Sequence, residues 1–338
     1  MSMVAGTARS MSGYSVSTVS RVLNKHPDVN PKTREKVLAV IKEQGFAPND
    51  NAKLLKMQAQ SSVAVLVKGS QNPLFADILE RSQSLFQQNG EASYVAYLDE
   101  DADEVQHAAR LMELRHPKGF LFLGGDLEHF KDSFSQLSTP SVLLTNDARA
   151  LGFPNLSSFT TDDASAAAQV IDSLTEHGHR SIGVIGGSLA LHQVSYRRIR
   201  GVQQAMEQHG LCFDLDRCYE PCRYSMEEGY QATMRLLKRN GALSAIFALG
   251  DVIALGALRA ICDRRLRVPE DISLVGYDGI AAAKYSIPRL STVCQNTEAL
   301  AARGVSALLQ QIRLGAAPLH ETIPFELRLS ESIGTPRC

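Results

Sequence analysis

The sequence predicts an α/β protein in two parts, a small N-terminal head with a helix-turn-helix and a larger two-lobed body with parallel sheets. The body is predicted because apolar, strand-length runs alternate with amphipathic, helix-length segments from residue 62 onward. This alternation is typical of parallel sheets with helices on both faces. The body is about 275 residues long, which exceeds one ordinary domain, so we expect two lobes that face a cleft. The head is predicted by two short helical patterns before the first strand.

The segment 15–24 predicts a short helix with two different faces. Its apolar positions recur at helical spacing, at Val19, Val22 and Leu23. The opposite face carries small or basic side chains, at Val16, Ser17, Thr18 and Arg21. Hydroxyls bond to phosphates or bases and a guanidinium binds a guanine edge or a phosphate, so this face suits the major groove of DNA. An ordinary amphipathic surface helix would show the same spacing, and the segments that follow favour the DNA interpretation.

A second helix of the head is predicted from Pro31 to Gln44. Asn30 is a good N-cap, Pro31 stands at the first helical position, and Gly45 follows the last turn. Beyond this helix, residues 49–58 are too few for a stable free helix, because isolated helices below about 12–15 residues are marginal. We therefore expect this hinge segment to become ordered when it pairs with a second copy over DNA.

The distribution of charge supports the same division of the chain. Residues 1–61 hold nine Lys/Arg and four Asp/Glu, a balance of +5, whereas the remainder holds 26 against 32, a balance of −6. The near-neutral total of −1 therefore combines a basic head with an acidic body. A basic head attracts the phosphate backbone, and its DNA affinity should fall as the salt concentration rises.

In the body, candidate ligand-binding residues, most of them polar, follow predicted strands or begin the helices after them. They are Asn72 with Phe75, Asp147, Asp162, Arg198, Gly250 with Asp251, and Asp278. Ligands of parallel sheets bind beyond the carboxyl ends of the strands. Carboxylates accept paired hydroxyls and an arginine donates two parallel bonds, which suits a sugar or, as second choice, a nucleoside. An aspartate after a strand is also a routine helix N-cap, so each single aspartate has a second interpretation.

Short motifs occur along the chain in a characteristic order. Thr18–Asn24 reads TVSRVLN, and Ala52-Lys53-Leu54-Leu55 follows a Pro-Asn step. In the body, Arg198-x-x-Gly201 is followed by the strand end Val275-Gly276-Tyr277-Asp278. These motifs resemble the helix-turn-helix, the hinge and two effector-binding segments of the LacI/GalR family of bacterial transcription regulators. The resemblance covers nearly the whole body, roughly 62–336.

The resemblance implies a fold and a function. The domains would be a helix-turn-helix head at 1–47, a hinge helix or linker at 48–61 and a periplasmic-binding-protein-like body at 62–338. Lobe 1 would cover about 62–160 and 292–322, and lobe 2 about 161–291 and 323–338. The protein would be a homodimeric regulator, expected to be a repressor, of a near-palindromic double-stranded DNA operator. A small molecule between the lobes, expected to be a sugar or sugar derivative, would control operator affinity.

The resemblance also implies roles for individual residues. The DNA-contacting residues would be Val16, Ser17, Thr18, Ser20, Arg21, Asn24, Ala52, Lys53 and Leu55. Leu55 would enter the minor groove and bend the duplex, although packing of Leu54 and Leu55 against the body is the alternative. The effector-contacting residues would be Phe75, Asp147, Asp162, Arg198, Gly250, Asp251 and Asp278.

Two positions depart from the pattern of the family. Gly250 stands where the family has an asparagine, which removes an amide that often touches the effector. The first helix of the head, residues 4–12, contains Gly6, which costs roughly 1 kcal/mol relative to alanine. A sugar-binding protein with an impaired DNA-binding head is therefore the alternative function.

Other classes of protein lack their defining motifs in this sequence. A Rossmann-type enzyme needs a phosphate-binding glycine turn, and residues 183–187 lack the G-x-G-x-x-G spacing. We expect no enzyme activity and no cofactor. Cys212, Cys218 and Cys222 lack the paired spacing of zinc sites, so no metal is expected. A periplasmic sugar-binding protein would carry an export signal, and since none is recognised we expect a cytoplasmic protein without a membrane partner.

Overall fold

The computed structural model describes residues 18, 22, 30–43, 62–69 and 72–337, and the chain divides into two compact units at 1–58 and 59–338. In the first unit, helix α1 spans Pro31–Glu43. Asn30 caps this helix, because its Oδ1 accepts the backbone N–H of Lys32 at 3.0 Å. Val22 and Val37 are both buried, so each of the two predicted helical segments contributes an apolar side chain to the interior.

The second unit begins with alternating strands and helices. They are β1 (Ser62–Lys68), α2 (Pro73–Gln88), β2 (Ala92–Leu98), α3 (Glu104–Arg115), β3 (Gly119–Leu123), α4 (Leu127–Ser133), β4 (Ser141–Leu144) and β5 (Leu156–Thr161). The alternation continues with α5 (Asp163–Glu176), β6 (Ile182–Ile185), α6 (Val194–Gln208), α7 (Leu215–Cys218), β7 (Tyr219–Glu220), α8 (Met226–Arg239), β8 (Ala245–Ala248), α9 (Asp251–Asp263), β9 (Ser273–Asp278) and β10 (Ser291–Gln295). The last elements are α10 (Thr297–Leu314), β11 (His320–Ile323) and β12 (Phe325–Arg328). Short 3₁₀ turns lie at Phe134–Gln136, Arg149–Leu151 and Ala281–Lys284.

These strands form two six-stranded sheets, which define the two lobes. The sheet of lobe 1 has the order β11-β5-β4-β3-β1-β2, and all of its pairings are parallel. The sheet of lobe 2 has the order β12-β10-β9-β8-β6-β7, and only the edge strand β12 is antiparallel. The predicted α/β body with two parallel sheets is confirmed.

The chain crosses between the lobes at the ends of three strands. The first crossing follows Thr161 and the last lies between β11 and β12. The sequence places the middle crossing near 292, but the strand Ser291–Gln295 pairs with β9 in lobe 2. The chain therefore returns to lobe 1 only after Gln295, and Thr161 Oγ1 donates to Gln295 Oε1 at 2.9 Å where two crossings meet.

Burial on both faces of the sheets explains why the strands are continuously apolar. All seven residues of β1 are buried. Its alternate residues join different clusters, with Val65 in one and Leu66 in the other. Helices cover both faces because a βαβ connection returns the chain on one side of the sheet or the other. No helix among the described residues is long and apolar enough to cross a membrane.

Candidate ligand-binding site

A cavity of about 90 Å³ lies between the two lobes, at the carboxyl ends of their strands. Lobe 1 contributes Asn72, Phe75 and Glu100 to its wall, and lobe 2 contributes Arg198, Tyr224 and Asp278. This volume is below the roughly 300–1,000 Å³ of typical ligand pockets. A ligand the size of a sugar therefore needs more space between the lobes than this arrangement provides.

Arg198 is held rigidly in the first turns of α6. Its Nε donates to Asp163 Oδ1 at 2.7 Å and its Nη1 donates to the carbonyl of Leu249 at 2.6 Å. The guanidinium lies 3.6 Å from the centroid of the Tyr277 ring, whose hydroxyl also donates to Asp163. Burial is the largest single effect and lowers the pKa of Arg198, but the combined attraction of nearby groups, with Asp163 first among them, raises the pKa above its ordinary value. The arrangement presents a permanently charged, pre-oriented donor to the cavity.

Gly201 allows α6, the helix that carries Arg198, to lie against α5, the first helix of lobe 2. A Cβ at this position would lie 2.2 Å from the carbonyl oxygen of Ala164 in α5. Only glycine therefore allows α6 to approach α5, and Asp163 stands on α5 one residue before Ala164. The Arg198-x-x-Gly201 motif therefore provides both the charged group and the close contact between α6 and α5 that positions its partner, Asp163.

Asp278 joins the two lobes at the end of β9. Its Oδ2 accepts from Asn72 Nδ2 of lobe 1 at 3.1 Å, and its Oδ1 accepts from Gln295 Nε2 at 2.9 Å. Its φ of 113° is unusual for a residue other than glycine and directs the carboxyl group toward the cavity wall. Burial raises the pKa of Asp278 to about 6. The carboxylate is thus a strong acceptor that a ligand hydroxyl would satisfy in place of the amides.

Tyr224 fills the space that the absent asparagine would require. A Cβ on Gly250 would lie 3.0 Å from Tyr224 Cδ1 and 3.6 Å from Asp278 Oδ2. The Tyr224 hydroxyl is buried and has no hydrogen-bond partner among the described residues. Burial raises the pKa of Tyr224, so its hydroxyl stays protonated as a donor. Where an asparagine at position 250 would provide a hydrogen-bonding amide, the Tyr224 ring therefore provides an aromatic surface that ends in a hydroxyl group.

The predicted effector residues fall into two groups in the structure. Phe75, Arg198 and Asp278 line the cavity. Gly250 does not line it but lies beside Tyr224, which does. The other three, Asp147, Asp162 and Asp251, are outside the lining residues.

Each of these three aspartates has hydrogen-bond partners other than a cavity ligand. Asp162 is exposed and caps α5, since its Oδ1 accepts from Ser165 N at 3.1 Å. Asp251 is fully buried, and it accepts from Thr292 Oγ1 at 2.6 Å and from Ile280 N at 2.8 Å behind the Asp278 turn. Asp147 accepts from Arg149 N at 3.0 Å, within its own turn. The N-cap interpretation of an aspartate after a strand therefore applies to Asp162, and Asp163 beside it is the buried partner of Arg198.

Three residues of the site had no distinguishing signal in the sequence. Tyr224 lies in an irregular loop before α8, Asp163 is the second of two consecutive aspartates, and Gln295 ends an internal strand. No local pattern marks Tyr224, because its role depends on the small residue at 250.

The predicted DNA-contacting residues lie almost entirely outside the described part of the chain. Those outside it are Val16, Ser17, Ser20, Arg21, Asn24, Ala52, Lys53 and Leu55, together with the irregular first helix at 4–12. Thr18 is described and is helical and half-buried. Its helical state agrees with the predicted recognition segment.

Replacing Asp278 with asparagine is expected to change how stability depends on pH. An unfolded aspartate titrates near pH ~4 and the folded Asp278 has a pKa of about 6, so the folded chain holds the additional proton between these values. The wild-type free energy of unfolding should therefore fall relative to D278N by up to ~3 kcal/mol as pH rises across this window, then stay level. Urea unfolding of both proteins between pH ~4 and ~8 measures the difference. A difference that does not vary with pH would contradict the burial of this carboxyl group.

Two family profiles match separate parts of the chain. The profile of bacterial regulatory proteins of the lacI family matches residues 8–49, and the profile of the periplasmic binding protein-like domain matches residues 171–333. The HTH-type transcriptional regulator MalR of Clostridium butyricum is 33% identical over 320 residues, which cover 94% of this chain and 95% of MalR. The HTH-type transcriptional repressor PurR of Haemophilus influenzae (strain PittEE) is 31% identical over 312 residues, 89% of each protein.

Solved structures of regulators resemble the whole chain. The transcriptional regulator CelR in its cellobiose complex has a TM-score of 0.71 at 26% identity, covering 97% of this chain and 99% of CelR. The Lac repressor dimer bound to operator and the anti-inducer ONPF has a TM-score of 0.70 at 25% identity, covering 96% and 97%. The similarity therefore includes both the head and the body.

Proposed function

The chain belongs to the LacI family of bacterial regulatory proteins, and on that premise we propose that it is a repressor whose operator affinity is set by a sugar or sugar derivative bound between the lobes. It is a DNA-binding transcriptional regulator with an effector-binding body. The observation that carries the effector proposal is the interlobe cavity, where Arg198 and Asp278 of lobe 2 face Asn72 and Phe75 of lobe 1.

The chemistry of the cavity favours a polyhydroxylated ligand. Arg198 supplies fixed donors and Asp278 supplies an acceptor, the pair of groups that recognises adjacent hydroxyls. Phe75 and Tyr224 supply aromatic surface for the apolar face of a sugar ring. The similar regulator CelR was solved with cellobiose, which supports a carbohydrate effector for this chain as well.

Contacts between the lobes support control by cleft closure. Asn72 bonds to Asp278 across the cleft, and at the rim the backbone N–H of Tyr224 donates to Glu100 Oε2 at 3.3 Å. Arg223 of lobe 2 pairs with Asp99 of lobe 1 at 2.6 Å. A ligand that contacts both lobes binds the closed arrangement more tightly and so shifts the population toward it. Operator affinity then changes to the extent that the closed and open forms bind DNA differently.

The proposed assignment of the head follows the family. Residues 1–47 form the helix-turn-helix domain, 48–61 the hinge and 62–338 the effector-binding and dimerisation body. Val16 and Ser17 discriminate bases, Thr18 and Arg21 position the head on phosphates, and Leu55 enters the minor groove. The proposed compartment is the cytoplasm, where the operator DNA lies.

In vitro selection from a random DNA pool tests the regulator proposal. With full-length protein at moderate salt, we expect enrichment of a near-palindrome whose half-sites are about 10 base pairs apart, because a twofold dimer matches a twofold site. The V16A/S17A double variant should change the selected bases, whereas Q208A, on the exposed end of α6, should select the wild-type site.

Three outcomes would contradict the proposal, each in a different part. Failure to enrich any sequence would support the alternative of a sugar-binding protein with an impaired head. If an operator is enriched but no sugar of a broad panel changes the affinity of the protein for it, the regulator role is supported and the carbohydrate effector is rejected. A V16A/S17A profile identical to that of the wild type would reject the assignment of base contacts.

A further inference from the structure

A second group of polar side chains bridges the lobes at the rim of the cleft, next to the lining residues Gly125 and Gln193 of the cavity. Asp126 and Glu128 stand at the start of α4 in lobe 1, and His192 stands just before α6 in lobe 2. His192 Nε2 lies 3.1 Å from Asp126 Oδ2, and His192 Nδ1 lies 3.0 Å from Glu128 Oε2. One potential ligand atom from each residue lies within 4.8 Å of the other two. These three residues are called the rim cluster.

Within the described residues, no lysine or arginine pairs with the carboxylates of the rim cluster, Asp126 and Glu128. The neutral amide of Gln193 donates to Asp126 Oδ2 at 2.8 Å. The side chain of Asp126 is only 9% exposed, so its charge is poorly screened by water, whereas that of Glu128 is 59% exposed and leaves the cluster open to solvent.

A neighbouring histidine–carboxylate group differs from the rim cluster because a lysine pairs with it. Glu104 and His129 in lobe 1 lie 3.0 Å apart, and with Asp103 they form the other histidine–carboxylate group of the described residues. There the ammonium of Lys68 lies 2.7 Å from Glu104 and supplies the positive charge. The rim cluster has the same donor types and no such ammonium within the described part of the chain.

Both ring nitrogens of His192 face a carboxylate oxygen. A neutral imidazole carries one N–H, so it can donate to only one of two carboxylates. The other ring nitrogen then sets its lone pair against carboxylate oxygen at about 3 Å, which is repulsive. A metal ion on Nε2 removes this repulsion beside Asp126, while Nδ1, which points away from that ion, keeps its N–H for Glu128.

We propose that the rim cluster is a binding site for a divalent transition-metal ion, with Zn²⁺ the best match. His192 Nε2 and the Asp126 carboxylate are donors that Zn²⁺ accepts, Glu128 orients the imidazole through Nδ1, and water completes the coordination. Ligand atoms about 2.0–2.2 Å from one tetrahedral Zn²⁺ lie roughly 3.3–3.6 Å from each other, so His192 Nε2 and Asp126 Oδ2, now 3.1 Å apart, need to separate only slightly to admit the ion.

Metal binding at this position favours the closed lobes. The ligands come from both lobes, so the complete site exists only when the cleft is shut. Gln193, which contacts Asp126, also lines the ligand cavity. Zn²⁺ therefore acts as a second ligand of the regulator that stabilises the same state as the effector, and each should increase the affinity of the other.

Isothermal titration of full-length, chelator-treated protein with Zn²⁺ alone tests the site. The wild type should show one site per chain that H192Q and D126N each weaken by at least ~10-fold. The matched control is H209Q, because His209 pairs with a single carboxylate, Asp172, at 2.7 Å on the surface. H209Q should bind Zn²⁺ as the wild type does.

Small-angle scattering with and without Zn²⁺ supplies a second readout that does not depend on DNA or effector. The wild type should become more compact with the ion, and H192Q should not change. Circular dichroism shows whether each variant is folded. Equal Zn²⁺ affinity in H192Q and wild type would mean an adventitious ion only, held for example by the exposed thiols of Cys212 or Cys262. No Zn²⁺ binding by the wild type would mean that the rim cluster is only a hydrogen-bonded contact between the lobes, and both results overturn the proposal while leaving the repressor function untouched.

Discussion

Replacing Arg198 with alanine should destabilise the body by about 3–5 kcal/mol, the cost of leaving a buried charge without its partner. Asp163 is 3% exposed and would lose its only guanidinium contact among the described residues, while the Tyr277 ring would lose the cation that covers it. The Arg198 side chain is itself 4% exposed, so its removal also leaves a cavity. Urea unfolding followed by circular dichroism gives the difference in the free energy of unfolding.

The double variant R198A/D163A is the control for this prediction. Because it removes both charges, it should be more stable than R198A alone, although the cavity remains. If R198A and the double variant unfold at the same denaturant concentration, the loss comes from packing and the ion pair contributes nothing. Either variant should lose effector binding, since the donor to the cavity is gone in both.

Replacing Gly256 with alanine should lower the free energy of unfolding by at least ~3 kcal/mol, at the upper end of the range for overpacking. A Cβ at this position of α9 would lie 1.9 Å from the carbonyl oxygen of Met226 in α8, and neither backbone can yield without moving its helix. The two helices begin beside Gly250 and Tyr224, so a forced separation would also displace the wall of the ligand cavity.

The matched control for this substitution is Gly241→Ala. The nearest atom to a Cβ added at Gly241 is the carbonyl oxygen of Leu237, at 3.9 Å, and the φ of Gly241 is not in the left-handed region. We expect G241A to unfold within about 0.5 kcal/mol of the wild type, as surface substitutions generally do. A G256A protein as stable as G241A would show that α8 and α9 separate readily and that the close contact is not needed.

Local patterns in the sequence are sufficient for most of the elements and for part of the site. The fold class, the helix that begins after Asn30 and the alternation of strands and helices follow from periodicity and caps. Phe75, Arg198 and Asp278 are recognisable because they stand in short motifs at the carboxyl ends of strands. Short edge strands such as β7 and β12 escape prediction, because two to four residues carry too little periodicity to be distinguished from loops.

The sequence by itself therefore determined which main elements form, that the chain has a basic head and a two-lobed body, and which family it belongs to. Only the tertiary structure decided that Asp163 rather than Asp162 holds Arg198, because one residue along a helix turns a carboxylate by about 100° from solvent to core. It also decided that Tyr224 occupies the space above Gly250, and that His192 meets Asp126 and Glu128 across the cleft. These contacts join residues that are distant in sequence, so their positions depend on how the two sheets pack, which no local pattern records.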